Sequence, residues 1–264
     1  MLRPQFSEVP MEFELSFMSV SLLIAAGFFA GFINTIAGGG SMLTLPALMI
    51  FGMPADLANG TNRVGIFLQS VAGARGFHKK GKLAPSTIVP TLVPTLLGAL
   101  AGSLLASYLP VSWLKPALLG TMLGMAVLML VKPSAVAAPE GTQAYTLKER
   151  PLAAAGLFFA GLYGGFVQAG VGFIIIAAVA GGLRYDLVRT NALKMAITAA
   201  LTVIALGVFV VRGQVLWIPG LVLAVGTVAG AMASVQFAIN VPQSVLKWSL
   251  FVMVLITCAA AWFS

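Results

Sequence analysis

The sequence predicts an all-α polytopic membrane protein of about eight transmembrane helices plus two glycine-broken half-helices, arranged as two homologous repeats. Three observations predict it. Hydrophobic residues make up 59% of the 264 and charged residues only 8%, against about 25% charged in a soluble domain, so the surface fits lipid. The apolar runs are long and continuous, which selects helices over barrel strands with their alternation of apolar and polar positions. Short motifs recur in the same order in both halves of the chain.

A span needs about 20 apolar residues. Residues 17–36, 87–108, 112–131, 152–172, 215–238 and 244–263 meet that length, and 62–77 and 191–211 join them with polar residues inside. The pieces 42–51 and 173–180 are about half a span and follow glycine-rich breaks. They read as half-helices or re-entrant segments, admissible at membrane depth when buried in protein or lining a cavity. Residues 133–151 form the one sizeable polar stretch and read as a linker between a first repeat, 1–132, and a second, 152–264.

The repeat rests on matches in common order. Pro110, Ser112, Leu114, Lys115 and Leu118 return 132 positions later as Pro242, Ser244, Leu246, Lys247 and Leu250. Gly81 after Lys80 returns as Gly213 after Arg212, and Thr61-Asn62 as Thr190-Asn191. Gly27/Gly31 answers to Gly161/Gly165, and Gly98/Gly102 to Gly226/Gly230. Parallel and inverted arrangements of the halves both stay open. Glycine pairs of this kind, the isolated Gly120/Gly124 included, suit close helix packing, within one chain or between two in a homodimer.

The formal charge of +8 is dispersed over short loops between apolar runs, as membrane orientation signals are; this argues for lipid and against nucleic acid as the partner. The densest basic loop, His78 to Lys82, is expected on the cytoplasmic side, with the central linker on the same side.

Gly38-Gly39-Gly40-Ser41 interrupts the first apolar region, and Gln168-Ala169-Gly170-Val171-Gly172 is its counterpart. Glycine admits the backbone angles that break a helix, and the following half-helix then starts with free N–H groups that favour an anion. Broken helices at matching places in two repeats point to a transporter's central site. Polar clusters follow each break: Asn59, Gly60, Thr61, Asn62 and Arg63 in the first half, with Gln69 two turns on, and Arg189, Thr190, Asn191 and Lys194 in the second. An intramembrane cation needs a partner. An anionic substrate is one candidate partner, and lipid phosphate reached by snorkelling is the other. Asn34 and Gln168 stand beside the breaks as secondary ligands. Removing either cation is expected to weaken anion binding more than folding.

None of the seven acids, Glu8, Glu12, Glu14, Asp56, Glu140, Glu149 and Asp186, falls in the middle of a predicted span. A carboxylate proton relay or cation site in the bilayer core therefore has no candidate, and a small anion is the expected permeant. Cys258 and His78 are the only cysteine and histidine, so neither a metal site nor a cofactor is expected, and no nucleotide-binding or zinc-protease motif marks an enzyme.

The run Gly31-Phe-Ile-Asn-Thr-Ile-Ala-Gly-Gly-Gly-Ser41, then Pro46, Ala58-Asn-Gly-Thr-Asn62 and a basic loop around Gly81, resembles the TauE/SafE sulfite-exporter-like family. A weaker version returns as Gly161, Gly164, Gly165, Gly170 and Gly172, then Thr190-Asn191. The resemblance implies a bacterial inner-membrane carrier of about eight spans for sulfite, organosulfonates, thiosulfate or related anions. It also implies a site between the repeats, made here of Gly38 to Ser41, Thr61, Asn62, Arg63, Gly170, Gly172, Thr190, Asn191 and Lys194. The expected function is secondary transport of a small sulfur-containing anion, as an exporter working by alternating access; an anion channel and a non-transporting membrane subunit are the alternatives.

Overall fold

The structure, a computed structural model, describes residues 17–36, 38–131 and 142–237, together with residue 255. Among them every regular element is helical. In chain order these are α1 (Phe17–Ile36), α2 (Ser41–Ile50), α3 (Ala55–Lys79), α4 (Pro85–Tyr108) and α5 (Val111–Val131). Then come α6 (Pro151–Phe166), α7 (Val171–Ile176) continuing into a π-helical stretch Ala177–Gly182, α8 (Leu187–Val211) and α9 (Trp217–Phe237). α1, α8, and stretches Thr87–Tyr108 and Trp217–Gln236 are long and apolar enough to cross a membrane. The outer surface carries large apolar side chains such as Phe29, Val93, Trp113, Phe159 and Ile218, a face suited to lipid.

Several expected boundaries move. The span expected at 62–77 starts seven residues earlier, at Ala55; its polar first turns are buried by neighbouring helices, so tertiary cover stands in for hydropathy. The span expected at 152–172 ends at Phe166, because the chain already turns at Val167. The tenth expected apolar element, 244–263, and the repeat marks Pro242 to Leu250 lie outside the described residues, as do Cys258 and the linker's first part.

Helix directions follow from which glycines meet which neighbours. The backbone of Gly226 lies against Ile24 and Phe28, and that of Gly230 against Phe28 and Phe32, so α1 and α9 run parallel. Gly98 meets Phe158 and Leu162 while Gly102 meets Leu162 and Phe166, so α4 and α6 also run parallel. Along α3, Gly60, Gly65 and Gly76 meet Gln214, Leu223 and Val235 in turn, which makes α3 parallel to α9. α8 runs against α3: Arg63 stacks on Phe209 near one end, and Gly73 packs on Met195 nearer the other. The starts of α4 and α8 lie together, since Thr87, Arg189 and Leu193 line one hollow. Hence α1, α3 and α9 point one way and α4, α6 and α8 the other.

At the end where α3 finishes, Lys82 and Arg189 line the same hollow, the Arg189 guanidinium donates to Thr142 O, and Tyr145 N–H donates to Leu183 O. The basic loop and the described part of the linker therefore share one end of the bundle. There α8 is capped by Asp186, whose carboxylate accepts from Arg189 N at 2.9 Å. Burial pushes that carboxyl up, but the bonds from Arg189 outweigh it and hold it below its ordinary value.

The glycine seams predict a contrast. A Cβ at Gly161 would run into the Thr95 carbonyl of α4, whereas one at Gly207 meets nothing within 4 Å among the described residues. Gly161→Ala is expected to lower the melting midpoint by several degrees, since backbone cannot yield as a side chain does and overpacking costs about 1–3 kcal/mol. Gly207→Ala should leave it unchanged or slightly raised; thermal melts in detergent check both. Gly120 and Gly124, expected as packing glycines, likewise meet nothing within 4 Å: among the described residues no helix lies on that face of α5.

Candidate functional site

Both breaks are chain reversals. After α1 the chain doubles back, so that Gly40 packs on the Ala30 carbonyl and the Asn34 side chain, and α2 begins at Ser41 with no side-chain cap. Gly38 has φ +91, a left-handed angle that glycine takes without the Cβ clash. After α6 the reversal uses two such residues, Gln168 at φ 66 and Gly170 at φ 80. A side chain at positive φ is strained, and Gln168 is held there by two buried bonds: its Oε1 accepts from Arg63 at 2.8 Å and its Nε2 donates to Thr202 Oγ1 at 2.7 Å.

The two reversals touch. A Cβ at Gly38 would lie 2.7 Å from Gly172 Cα, so backbone meets backbone where the hairpin of one half crosses that of the other. Met42 of α2 packs on Gly170. Of the sequence-selected residues, Gly38, Gly40, Ser41, Gly170 and Gly172 are thus brought to one place, and Gly39 closes the turn by accepting from Met42 N.

Each buried cation reaches across to the other half's reversal. Arg63, fully buried, donates to Gly164 O at 3.0 Å, Gly165 O at 2.5 Å and Gln168 at the end of α6, with a longer bond to Asn59 Oδ1. Lys194, also fully buried, donates to Asn34 O at 2.8 Å and Thr35 O at 3.1 Å at the end of α1, and to Asn191 Oδ1 at 2.9 Å. The last carbonyls of a helix have no intrahelical donor and carry the negative end of its dipole. A cation placed there satisfies both needs without a carboxylate. Neither cation extends outward from the bundle: both are fully buried and engaged with protein carbonyls.

Asn62 accepts from Thr44 Oγ1 of α2 at 2.6 Å, and Asn191 orients Lys194. Thr61 and Thr190 each bond to nearby main chain. Thr61 Oγ1 accepts from Leu216 N at 2.9 Å, tying α3 to the turn before α9, and Thr190 Oγ1 donates back to Tyr185 O at 3.5 Å in the first turn of α8. Asn59 joins the network from the polar cluster that opens α3, and Thr44, Thr202 and Phe209 join it without a place among the residues the sequence singles out. Thr202 had a legible signal, standing eight residues after Lys194 on the same helix face. The main-chain carbonyls of 34, 35, 164 and 165 had none, because every residue carries one.

The model of the family described as sulfite exporter TauE/SafE matches residues 23–261. A probable membrane transporter protein of Sinorhizobium sp. is 28% identical over 238 residues, covering 89% of this chain and 88% of its own length. A probable membrane transporter protein of Haemophilus influenzae is 26% identical over 234 residues, 89% of this chain and 91% of its own. The probable membrane transporter protein YfcA of Escherichia coli K12 is 26% identical over 239 residues, 89% and 88%. No solved structure matches the chain significantly. With two helix reversals crossing inside an apolar bundle and a family match along nearly its whole length, the chain belongs to the TauE/SafE sulfite exporter family, as a multi-pass membrane transporter protein.

Proposed function

We propose that this protein is a secondary carrier in the inner membrane that exports a small sulfur-containing anion of the sulfite or organosulfonate class by alternating access between two inverted repeats. The carrying observation is the crossing of the two reversals at Gly38 and Gly172, each held by a cation from the opposite half. The inverted arrangement is supported by the opposite directions of α1 and α6. It is supported too by matching contacts, α1 on α9 beside α6 on α4, and α3 on α9 beside α8 on α4. Inverted repeats with broken helices at the midplane are a recurring transporter design in which one bundle rocks against the other. In this reading Arg63 and Lys194 act as latches: each holds one hairpin closed, and releasing one while the other stays closed opens the centre to one side. The anion class is supported by the missing core carboxylates and by the family's name, and the outward direction by that name alone.

The test is the melting midpoint of the purified protein against sulfite, sulfate, thiosulfate, small sulfonates, small carboxylates and chloride. A ligand that prefers the folded state raises the midpoint as its concentration passes its dissociation constant. A rise with one sulfur oxyanion, accompanied by saturable counterflow of that anion in liposomes, is expected. Flux without counterflow would indicate a channel, and neither shift nor flux would sink the carrier reading.

A further inference from the structure

Most hydroxyls inside this bundle are satisfied by their own helix: Thr95 donates to Thr91 O, Thr202 to Thr198 O, Ser103 to Leu100 O and Ser107 to Leu104 O. Ser234 of α9 departs from this habit, and so do two adjacent residues in the middle of α3. Gln69 and Ser70 are both fully buried, yet neither amide atom of Gln69 nor the hydroxyl of Ser70 has a protein partner. Buried polar groups are partnered almost without exception, and hydrocarbon supplies no substitute. Asn62 Nδ2 and Arg63 Nε, seven and six residues before Gln69, are unpartnered as well.

Seven residues are two turns of helix, so Gln69 shares the α3 face of Asn62. That face meets α2 at Thr44 and, four residues beyond Gln69, meets α8 at Met195. Gln69 therefore lies between the first hairpin and α8, the two bodies that Lys194 joins. An amide presents both a donor and an acceptor, and so does a hydroxyl. A bare oxyanion only accepts: it would satisfy Gln69 Nε2 and the Ser70 hydroxyl but leave Gln69 Oε1 orphaned.

We infer that Gln69 and Ser70 form a specificity subsite for the transported anion, one that takes a small oxyanion carrying its own hydrogen-bond donor, a hydroxyl or a bound proton. This rests on the carrier reading above and deepens it. Ethanesulfonate and 2-hydroxyethanesulfonate are suitable probes, since they share a charged head and differ by one hydroxyl. In thermal titrations of the purified full chain, the hydroxylated probe is expected to bind about tenfold more tightly or better, because a site built to hydrogen-bond a hydroxyl rejects the analogue lacking it. In Gln69→Leu that difference should vanish. Without any anion, Gln69→Leu should melt at or above the wild-type temperature, since orphaned polar atoms give way to apolar ones.

Equal binding of the two probes by the wild type, or an undiminished preference in Gln69→Leu, overturns the inference. If neither sulfonate shifts the wild type, the sulfonate-carrier reading fails by itself, and the anion-free melt decides the subsite. A Gln69→Leu midpoint at or above wild type keeps Gln69 as a ligand-facing group, and a midpoint several degrees lower makes it structural and removes the subsite.

Discussion

Gly38→Ala is expected to abolish transport and to destabilise the protein by several kcal/mol, while Gly52→Ala, at an equally left-handed backbone angle, should cost only about 1–2 kcal/mol and leave flux intact. The pair isolates the crossing. Both glycines have positive φ, +91 and +84, so both alanines carry the same kind of backbone strain. A Cβ at 52 meets nothing within 4 Å, whereas one at 38 lies 2.7 Å from Gly172 Cα and 2.8 Å from its carbonyl carbon. Those atoms are main chain and have no rotamer to move to, so the overlap must separate the two hairpins. Liposome flux and a thermal melt of both variants check this. Wild-type flux in Gly38→Ala would mean that transport does not depend on contact between the reversals.

Arg63→Ala and Lys194→Ala are each expected to lose about 3–5 kcal/mol of stability, since each strands at least two buried carbonyls at about 1–3 kcal/mol apiece. At about 2–4 °C per kcal/mol for a chain of this size, the midpoint should fall by about ten degrees. The physical reason is what each cation leaves behind: the Gly164 and Gly165 carbonyls and a strained Gln168 in one case, the Asn34 and Thr35 carbonyls in the other. Arg63→Lys should recover part of the loss, keeping the charge but losing the fork that serves several acceptors at once. The sequence reading has loss of either cation weakening anion binding more than folding; the carbonyl partners add a folding cost that the melt measures apart from binding. A melt of Arg63→Ala indistinguishable from wild type would remove the latch from the mechanism.

Much of this protein was legible before any fold was considered. The described helix α1 and the last residue of α8 lie where hydropathy puts them, as does nearly all of α2, because lipid demands continuous apolar length and internally paired backbone. The reversals were legible too, since Gly38 and Gly170 stand in apolar sequence where nothing but geometry calls for glycine. α3 was harder. Its first turns, Asn59 to Arg63, look too polar for a span, and they become buried only because Phe166, Phe209 and Thr44 come from elsewhere in the chain to cover them.

The solvent, the helical class, the two breaks and the presence of two cations without core acids are readable from the amino-acid sequence. These depend on residue type and local spacing, which are written along the chain. Tertiary structure alone decided that α1 and α6 run in opposite directions, that the reversals cross at Gly38 and Gly172, and that Arg63 and Lys194 each engage the other half's helix end. Those outcomes turn on main-chain carbonyls and on contacts between residues more than 100 positions apart. Residue type does not distinguish one carbonyl from another; only the packing of the helices makes some of them acceptors for a buried charge.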